Sequence, residues 1–146
     1  MSYQSKILTE AELIKLFEIE EDHFNDFKAK DISGKGLSKT ISAFANASGG
    51  DIYIGIREEK STKIKYWEGF RNIEEANPSI QVIESLPAIE SYFEVDFLRH
   101  PTLLTYIVKI SIFKSRIIVK TTDDKRYVRR GAPKSTYRLR REIAET

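Results

Sequence analysis

Ser42-Ala43-Phe44-Ala45-Asn46-Ala47-Ser48-Gly49-Gly50-Asp51-Ile52-Tyr53-Ile54-Gly55-Ile56 is the stretch on which the fold turns. Upstream of it, Leu37 and Ile41 join Phe44 and Ala45 at i, i+4, i+7 and i+8, so the periodicity predicts a helix over residues 36–47. Gly49-Gly50 stops that helix, because glycine alone reaches positive φ without steric cost. Residues 51–57 then alternate strictly, with Ile52, Ile54 and Ile56 on one face and Asp51, Tyr53, Gly55 and Arg57 on the other. That is the pattern of a half-buried strand. Small residues at Ala43 and Ala47 suit a helix lying close against a sheet. Gly55 removes a side chain in mid-strand, where a ligand or another backbone can approach.

Outward from this centre, Thr9 reads as the N-cap of a helix over residues 10–19, with Glu10 and Glu12 at its positive end. Residues 23–28 read as a short strand and residues 29–35 as a polar loop. Residues 63–70 are expected to pair back on the central strand after a charged turn at 58–62. Two short helices interrupted at Pro78 and Pro87 fill residues 71–92. Residues 93–100 and 103–113 alternate as a hairpin turning at His100-Pro101-Thr102. A further strand pair is expected at 117–120 and 126–129, then a basic helix over 134–145. The fold class is therefore α+β, a mainly antiparallel sheet flanked by helices, in one domain spanning residues 1–146.

The 146-residue length fits one core, since a chain of this size buries roughly 68% of its unfolded surface. No apolar run approaches the roughly 18 residues of a spanning helix, and the N-terminus lacks a signal-peptide core, so a cytoplasmic protein without membrane association is expected. The absence of cysteine excludes disulfide scaffolds, thiolate metal sites and a cysteine nucleophile. The net charge of +2 hides an asymmetry. Residues 1–108 hold 12 Lys/Arg against 18 Asp/Glu, whereas residues 109–146 hold 12 against 4. In the basic quarter Arg126, Arg129, Arg130, Lys134, Arg138, Arg140 and Arg141 are interleaved with Tyr127 and Tyr137. Arginine forks grip phosphate, and tyrosines stack on unpaired bases, so this segment reads as a polyanion footprint. Gly34-Lys35 fails the phosphate-loop spacing because position 29 is Ala29 and Gly36 follows the lysine. Lys35 and Lys39 still flank a helix start that favours anions. His23 and His100 lack metal-ligand spacing, and no serine has an evident base, so a hydrolase triad is not indicated.

The stretch Ala43-Phe44-Ala45-Asn46-Ala47-Ser48-Gly49-Gly50 with its Gly55-centred strand resembles the signature of the AlbA_2 domain of the Schlafen family. Glu21-Asp22-His23-Phe24-Asn25-Asp26-Phe27-Lys28 resembles that family's Glu-x4-Glu-Phe-Lys motif. Tyr127-Val128-Arg129-Arg130-Gly131-Ala132 resembles its Tyr-x-Arg-x-Gly-Ser/Ala motif. The resemblance covers residues 10–145. It implies nucleic-acid binding, and for some members metal-dependent cleavage of tRNA and rRNA by three carboxylates. Carried over by position, the first two are Glu21 and Asp26, and the third falls at Arg57 or Glu58. This chain departs from the pattern in having Asp26 for a glutamate and Arg57 at the first acid position.

Three readings follow. The first is a domain gripping RNA or DNA phosphates through Lys28, Lys35, Lys39, Arg57, Arg126, Arg129, Arg130, Lys134, Arg138 and Arg141. The second is a metal-dependent endoribonuclease acting on tRNA or other structured RNA. Its catalytic residues are Glu21, Asp26 and Glu58, with Mg²⁺ or Mn²⁺ held by Glu21 and Asp26, because hard cations take carboxylate oxygens. The third is a protein-interaction or dimerisation module. The family's two-domain nuclease cores imply that a single-domain chain forms a homodimer to enclose a duplex.

Overall fold

The computed structural model describes residues 2–22, 24–86, 93–114, 127–129 and 136–138. A five-stranded mixed sheet forms its centre. The strands are β1 (Ser2–Ile7), β2 (Asn25–Lys28), β3 (Gly50–Ile54), β6 (Phe93–Arg99) and β7 (Tyr106–Ile112), in the order β1-β6-β7-β3-β2. The inner pairings β6–β7 and β7–β3 are antiparallel, while the edge strands β1 and β2 add in parallel. A small hairpin of β4 (Ile56–Glu58) and β5 (Lys65–Trp67) leaves the end of β3, and β8 (Tyr127–Arg129) pairs antiparallel with β9 (Thr136–Arg138). Four of the six strand pairings described are thus antiparallel. The α+β class stands.

Among the described residues three helices cover the sheet. On one face lie α2 (Gly34–Ala45) and α3 (Asn77–Ser85). Their Leu37, Ile41, Phe44, Ile80 and Ile83 pack with Ile52, Ile54, Val95, Phe97, Val108, Ile110 and Ile112 of the strands. The opposite face carries α1 (Glu10–Glu18), whose Leu16 packs with Phe27, Tyr53, Ile56, Leu98 and Ile107. α1 starts on a reciprocal cap. Glu12 N–H donates to Thr9 Oγ1 at 3.1 Å and Thr9 N–H to Glu12 Oε1 at 3.0 Å, an arrangement contributing about 1 kcal/mol.

Several boundaries differ from those expected, each for a physical reason. β1 is an edge strand with Tyr3 and Ile7 exposed, so its sequence carries no buried alternating face. Pro78 does not interrupt a helix; it sits in the first turn of α3, where its missing N–H is no loss, directly after a 3₁₀ turn at Glu74–Ala76. Thr136-Tyr137-Arg138 is a strand paired with β8, against the helix expected over 134–145. A β-branched residue followed by an aromatic fits a pleated surface better than a helix. Pro87, residues 117–120 and the remainder of 134–145 lie outside the described residues.

The most consequential difference is at Gly55. Its φ of +108° ends β3, and the face pattern inverts there. Ile52 and Ile54 point into the α2 cluster, whereas Ile56 joins Tyr53 in the α1 cluster. The junction is held on both sides. Gly55 N–H donates to Lys28 O at 2.8 Å, and Gly55 O accepts from Glu68 and Gly69 N–H at 2.8 and 3.0 Å. The inversion carries Arg57 and Glu58 off the sheet and onto the hairpin beside β2.

Candidate functional site

Glu21 and Asp26 are five residues apart, yet they meet because the chain doubles back between α1 and β2. Asp22 builds that bend. Its Oδ1 accepts from Phe24 N–H at 2.7 Å and from the Asn25 side-chain amide at 3.1 Å, and its own N–H donates to Asn25 O at 3.1 Å. This is an Asx turn, the role for which a short carboxylate in a connection is suited. Glu21 is thereby folded over the open edge of β2, where its Oε1 accepts from Phe27 N–H at 3.2 Å. Asp26 itself is buried on β2, paired in register with Ile52. Lys28, two residues on and so on the same face, places its Nζ 3.0 Å from Asp26 Oδ2 as an ion pair.

Glu21, Asp26 and Glu58 line one cavity of about 310 Å³ together with Lys28, Arg57, Lys60 and Lys63. A second cavity, of about 380 Å³, adjoins it through Glu21, Glu58 and Lys63 and opens toward Glu18, Glu20 and Lys65. The acids therefore lie between a basic side, formed by β2 and the hairpin, and an acidic side at the end of α1. The Glu21 carboxyl is pushed up to about 7, first by desolvation, then by its hydrogen bond with the Asp26 carboxyl and by the negative charges of Asp26 and Glu58. The Phe27 N–H opposes the rise. Two carboxyls that share a proton in a desolvated site are the expected result when like charges are held together.

Lys65 fixes Glu58 in this arrangement. Its side chain is 7% exposed, and Nζ donates to Phe17 O at 3.2 Å, lies 3.5 Å from Glu58 Oε2 and sits 4.9 Å over the Phe27 ring. The hairpin is thus tied to the end of α1 and to β2 by one ammonium. Lys65→Met keeps the stem but leaves the Glu58 carboxylate, 14% exposed, without its counter-charge. We expect a loss of about 2 kcal/mol in urea unfolding, below the roughly 3–5 kcal/mol of a fully buried pair because Glu58 keeps some contact with solvent; an unchanged midpoint would show the tie to be unimportant.

The structure brings Glu21, Asp26, Lys28, Arg57 and Glu58 together at one cavity and leaves the other expected residues elsewhere. Lys35 and Lys39 are exposed on α2. β8, carrying Arg129, packs beside α2, and Arg138 lies on β9, opposite Tyr127 in the register. Arg126, Arg130, Lys134 and Arg141 lie outside the described residues. Sequence reasoning missed Lys60, Lys63 and Lys65. The glycine at position 55, in front of an arginine and two acids, was the signal that the strand leaves the sheet there.

Among the described residues no group of three His, Cys, Asp or Glu side chains is arranged to hold a metal ion. Glu21 and Asp26 nevertheless bring together two carboxyls, the donor chemistry that hard divalent cations take. Two carboxyls in mutual contact, one holding a proton up to about 7, gain a favourable alternative when a cation replaces that proton.

Among solved structures, the DIP2311 protein of Corynebacterium diphtheriae superimposes with a TM-score of 0.55 at 17% identity, covering 80% of this chain and 22% of that one. The match shows a shared fold within a minor part of a longer chain. No curated protein matches this chain in sequence. The family model described as "Schlafen, AlbA_2" matches residues 21–138, from the first cavity carboxylate through β9. No helix among the described residues is long and apolar enough to cross a membrane. With the matched segment running through both the carboxylate cavity and the basic strands, the chain belongs to the Schlafen AlbA_2 family of nucleic-acid-associated domains.

Proposed function

We propose that this domain binds structured RNA, such as tRNA, in the cytoplasm and cleaves it with a divalent cation held by Glu21 and Asp26. The observation that carries the reading is the convergence of Glu21, Asp26 and Glu58 in a cavity rimmed by Lys28, Arg57, Lys60 and Lys63. Phosphodiester cleavage asks for both kinds of group at once. Carboxylates hold the cation, and cations hold the phosphates on either side of the reacting one. Bound Mg²⁺ or Mn²⁺ supplies Lewis acidity at the phosphoryl oxygens. The chain's own residues supply the rest: Lys28 and Arg57 orient phosphate, and Lys65 holds Glu58 in place. Asp22 keeps Glu21 over the β2 edge.

A second reading is favoured by a different observation. β8, the strand that carries Arg129, packs beside α2, the helix that carries Lys35 and Lys39. On that reading the domain grips RNA or DNA through those cations alone, with the carboxylates as a structural cluster.

A denaturing gel of tRNA incubated with the protein and Mn²⁺ separates the two. It is run beside lanes containing EDTA and lanes containing the Glu21→Gln and Asp26→Asn variants. Cleavage abolished in all three controls supports the nuclease. Intact RNA in every lane, with a shifted band on a native gel that fades between about 50 and 200 mM salt, assigns binding alone. No shift under any condition removes both readings and leaves the interaction module.

A further inference from the structure

We infer that the β4–β5 hairpin is a reader of unpaired nucleotides, with Lys60 and Lys63 holding the strand's phosphates and the cation–π pair Arg57–Tyr66 receiving a base. The inference rests on the nucleic-acid reading above and names the form of strand that the cavity takes.

The first support is Lys63. It is the one non-glycine residue at positive φ among those described, at +63°. A lysine in this conformation costs about 1 kcal/mol relative to glycine, and nothing in its turn requires a long side chain. The turn is closed by backbone and short side chains. Lys63 N–H donates to Glu59 O at 2.8 Å, Glu59 N–H donates to Ile64 O at 2.9 Å, and Ser61 Oγ donates to Glu59 Oε1 at 3.0 Å. What the strained conformation achieves is placement: Lys63 lines both cavities, and Lys60 joins it in the one holding Asp26. A positive φ in a well-bonded turn thus sets a lysine side chain against a charged cavity where glycine would satisfy the backbone equally well.

The second support is the aromatic beside it. Arg57 and Tyr66 lie opposite each other in the hairpin register, with the guanidinium carbon 4.5 Å from the ring centroid. Tyr66 is 39% exposed and the Arg57 side chain 50% exposed, and Arg57 also lines the carboxylate cavity. A guanidinium laid on an aromatic ring presents a flat cationic surface. Unpaired bases stack on such surfaces, whereas bases in a duplex are stacked on each other and unavailable. Phosphate contacts alone accept either form of strand. The aromatic platform selects the unpaired one.

The test uses the full chain in EDTA, so that binding is read without cleavage. A fluorescein-labelled RNA of about 12 nucleotides without internal pairing is compared with the same strand annealed to its complement, by anisotropy over a salt series. Wild type is expected to bind the single strand at least about 10-fold more tightly than the duplex. Lys63→Gly is expected to unfold at the same temperature as wild type or higher, since it relieves the positive-φ strain, and yet to bind several-fold more weakly. With Lys60→Ala added, the salt slope should fall by about 1.4, the value for two single-strand phosphate contacts. Tyr66→Ala should lose about 10-fold with its salt slope unchanged, and Tyr66→Trp should recover the loss.

Wild-type affinity in Lys63→Gly and Tyr66→Ala overturns the inference, as does equal affinity for single strand and duplex. If those variants bind normally while Glu21→Gln and Asp26→Asn abolish tRNA cleavage, the hairpin assignment fails and the nuclease reading stands. Absence of binding by wild type to either RNA overturns both.

Discussion

Gly50→Ala is expected to cost the fold about 3 kcal/mol or more, enough to unfold a large fraction of a marginally stable domain. A Cβ at this position would stand 2.5 and 2.6 Å from Cε1 and Cδ1 of Phe44 and 2.7 Å from the Phe24 carbonyl oxygen. The φ of +150° is itself one that side chains seldom adopt. None of these neighbours can yield cheaply. Phe44 is fully buried between α2 and the sheet, and its carbonyl accepts from both Ala47 and Gly49 N–H. The Phe24 carbonyl is held by Asp51 N–H at 2.7 Å, the bond that starts the β2–β3 pairing. The collision therefore presses on the helix that covers the sheet and on the edge strand that carries Asp26.

The measurement is urea unfolding of Gly50→Ala, Phe44→Leu and the double variant. Removing part of the ring should return at least about 1 kcal/mol in the double variant relative to additivity, because the two sites are in contact. Strict additivity would show that the ring is not what the methyl meets. The same reasoning assigns the Phe44–Gly50 stretch an architectural role. The segment that most strongly marks the family is the joint between α2 and β3, buried from Leu37 through Ala45 apart from Lys39, and the chemistry-bearing groups lie on β2 and the hairpin.

How far the sequence could be read depended on whether burial left a periodic trace. α2, β3 and the β6–β7 hairpin each bury a full face, so Leu37/Ile41/Phe44 and Val108/Ile110/Ile112 repeat at the helical and strand periods. β1 buries neither Tyr3 nor Ile7 and leaves no such trace. Gly55 misled because alternation is written in residue types, and Ile52, Ile54 and Ile56 look alike while one positive φ sends the third to the other face. At 136–138, basic residues spaced along a helix face outweighed the strand preference of Thr136 and Tyr137. The site divides in the same way. The pairing of Glu21 with Asp26 was reachable through the motif, since Asp22 makes the bend locally. Lys60, Lys63 and Lys65 were not, because only the hairpin's return, some forty residues downstream, brings them there.

Glu21→Gln should leave stability unchanged near pH 4 and raise it by about 1 kcal/mol near pH 8, a pH-dependent gain from a single atom exchange. In the folded protein the Glu21 carboxyl is held at about 7, against an ordinary value of 4.5. Between those two values the folded chain keeps a proton that the unfolded chain releases, so folding is favoured by acid. That contribution is fully present below about 4.5 and is lost as pH rises through about 7, where the folded state must carry a desolvated charge beside Asp26 and Glu58. The figure of about 1 kcal/mol is well below the full shift because Glu21 is only half buried and solvent screens it. Glutamine imitates the protonated carboxyl at every pH, so it matches wild type in acid and exceeds it in base.

Urea unfolding of both proteins across this range reads the difference directly; a gap constant with pH would remove the strained carboxyl pair from the account. A divalent cation adds the complementary arm. At about pH 8, millimolar Mg²⁺ or Mn²⁺ should raise the melting temperature of wild type and leave Glu21→Gln unmoved, because the cation takes the place of the missing proton. At about pH 5 it should raise neither, the proton being already in place. The same competition sets the direction for tRNA cleavage, which should climb with pH through about 7 as Glu21 releases its proton to solvent and becomes available to a cation; a rate that falls over that interval would make Glu21 a proton donor and move the cation off it.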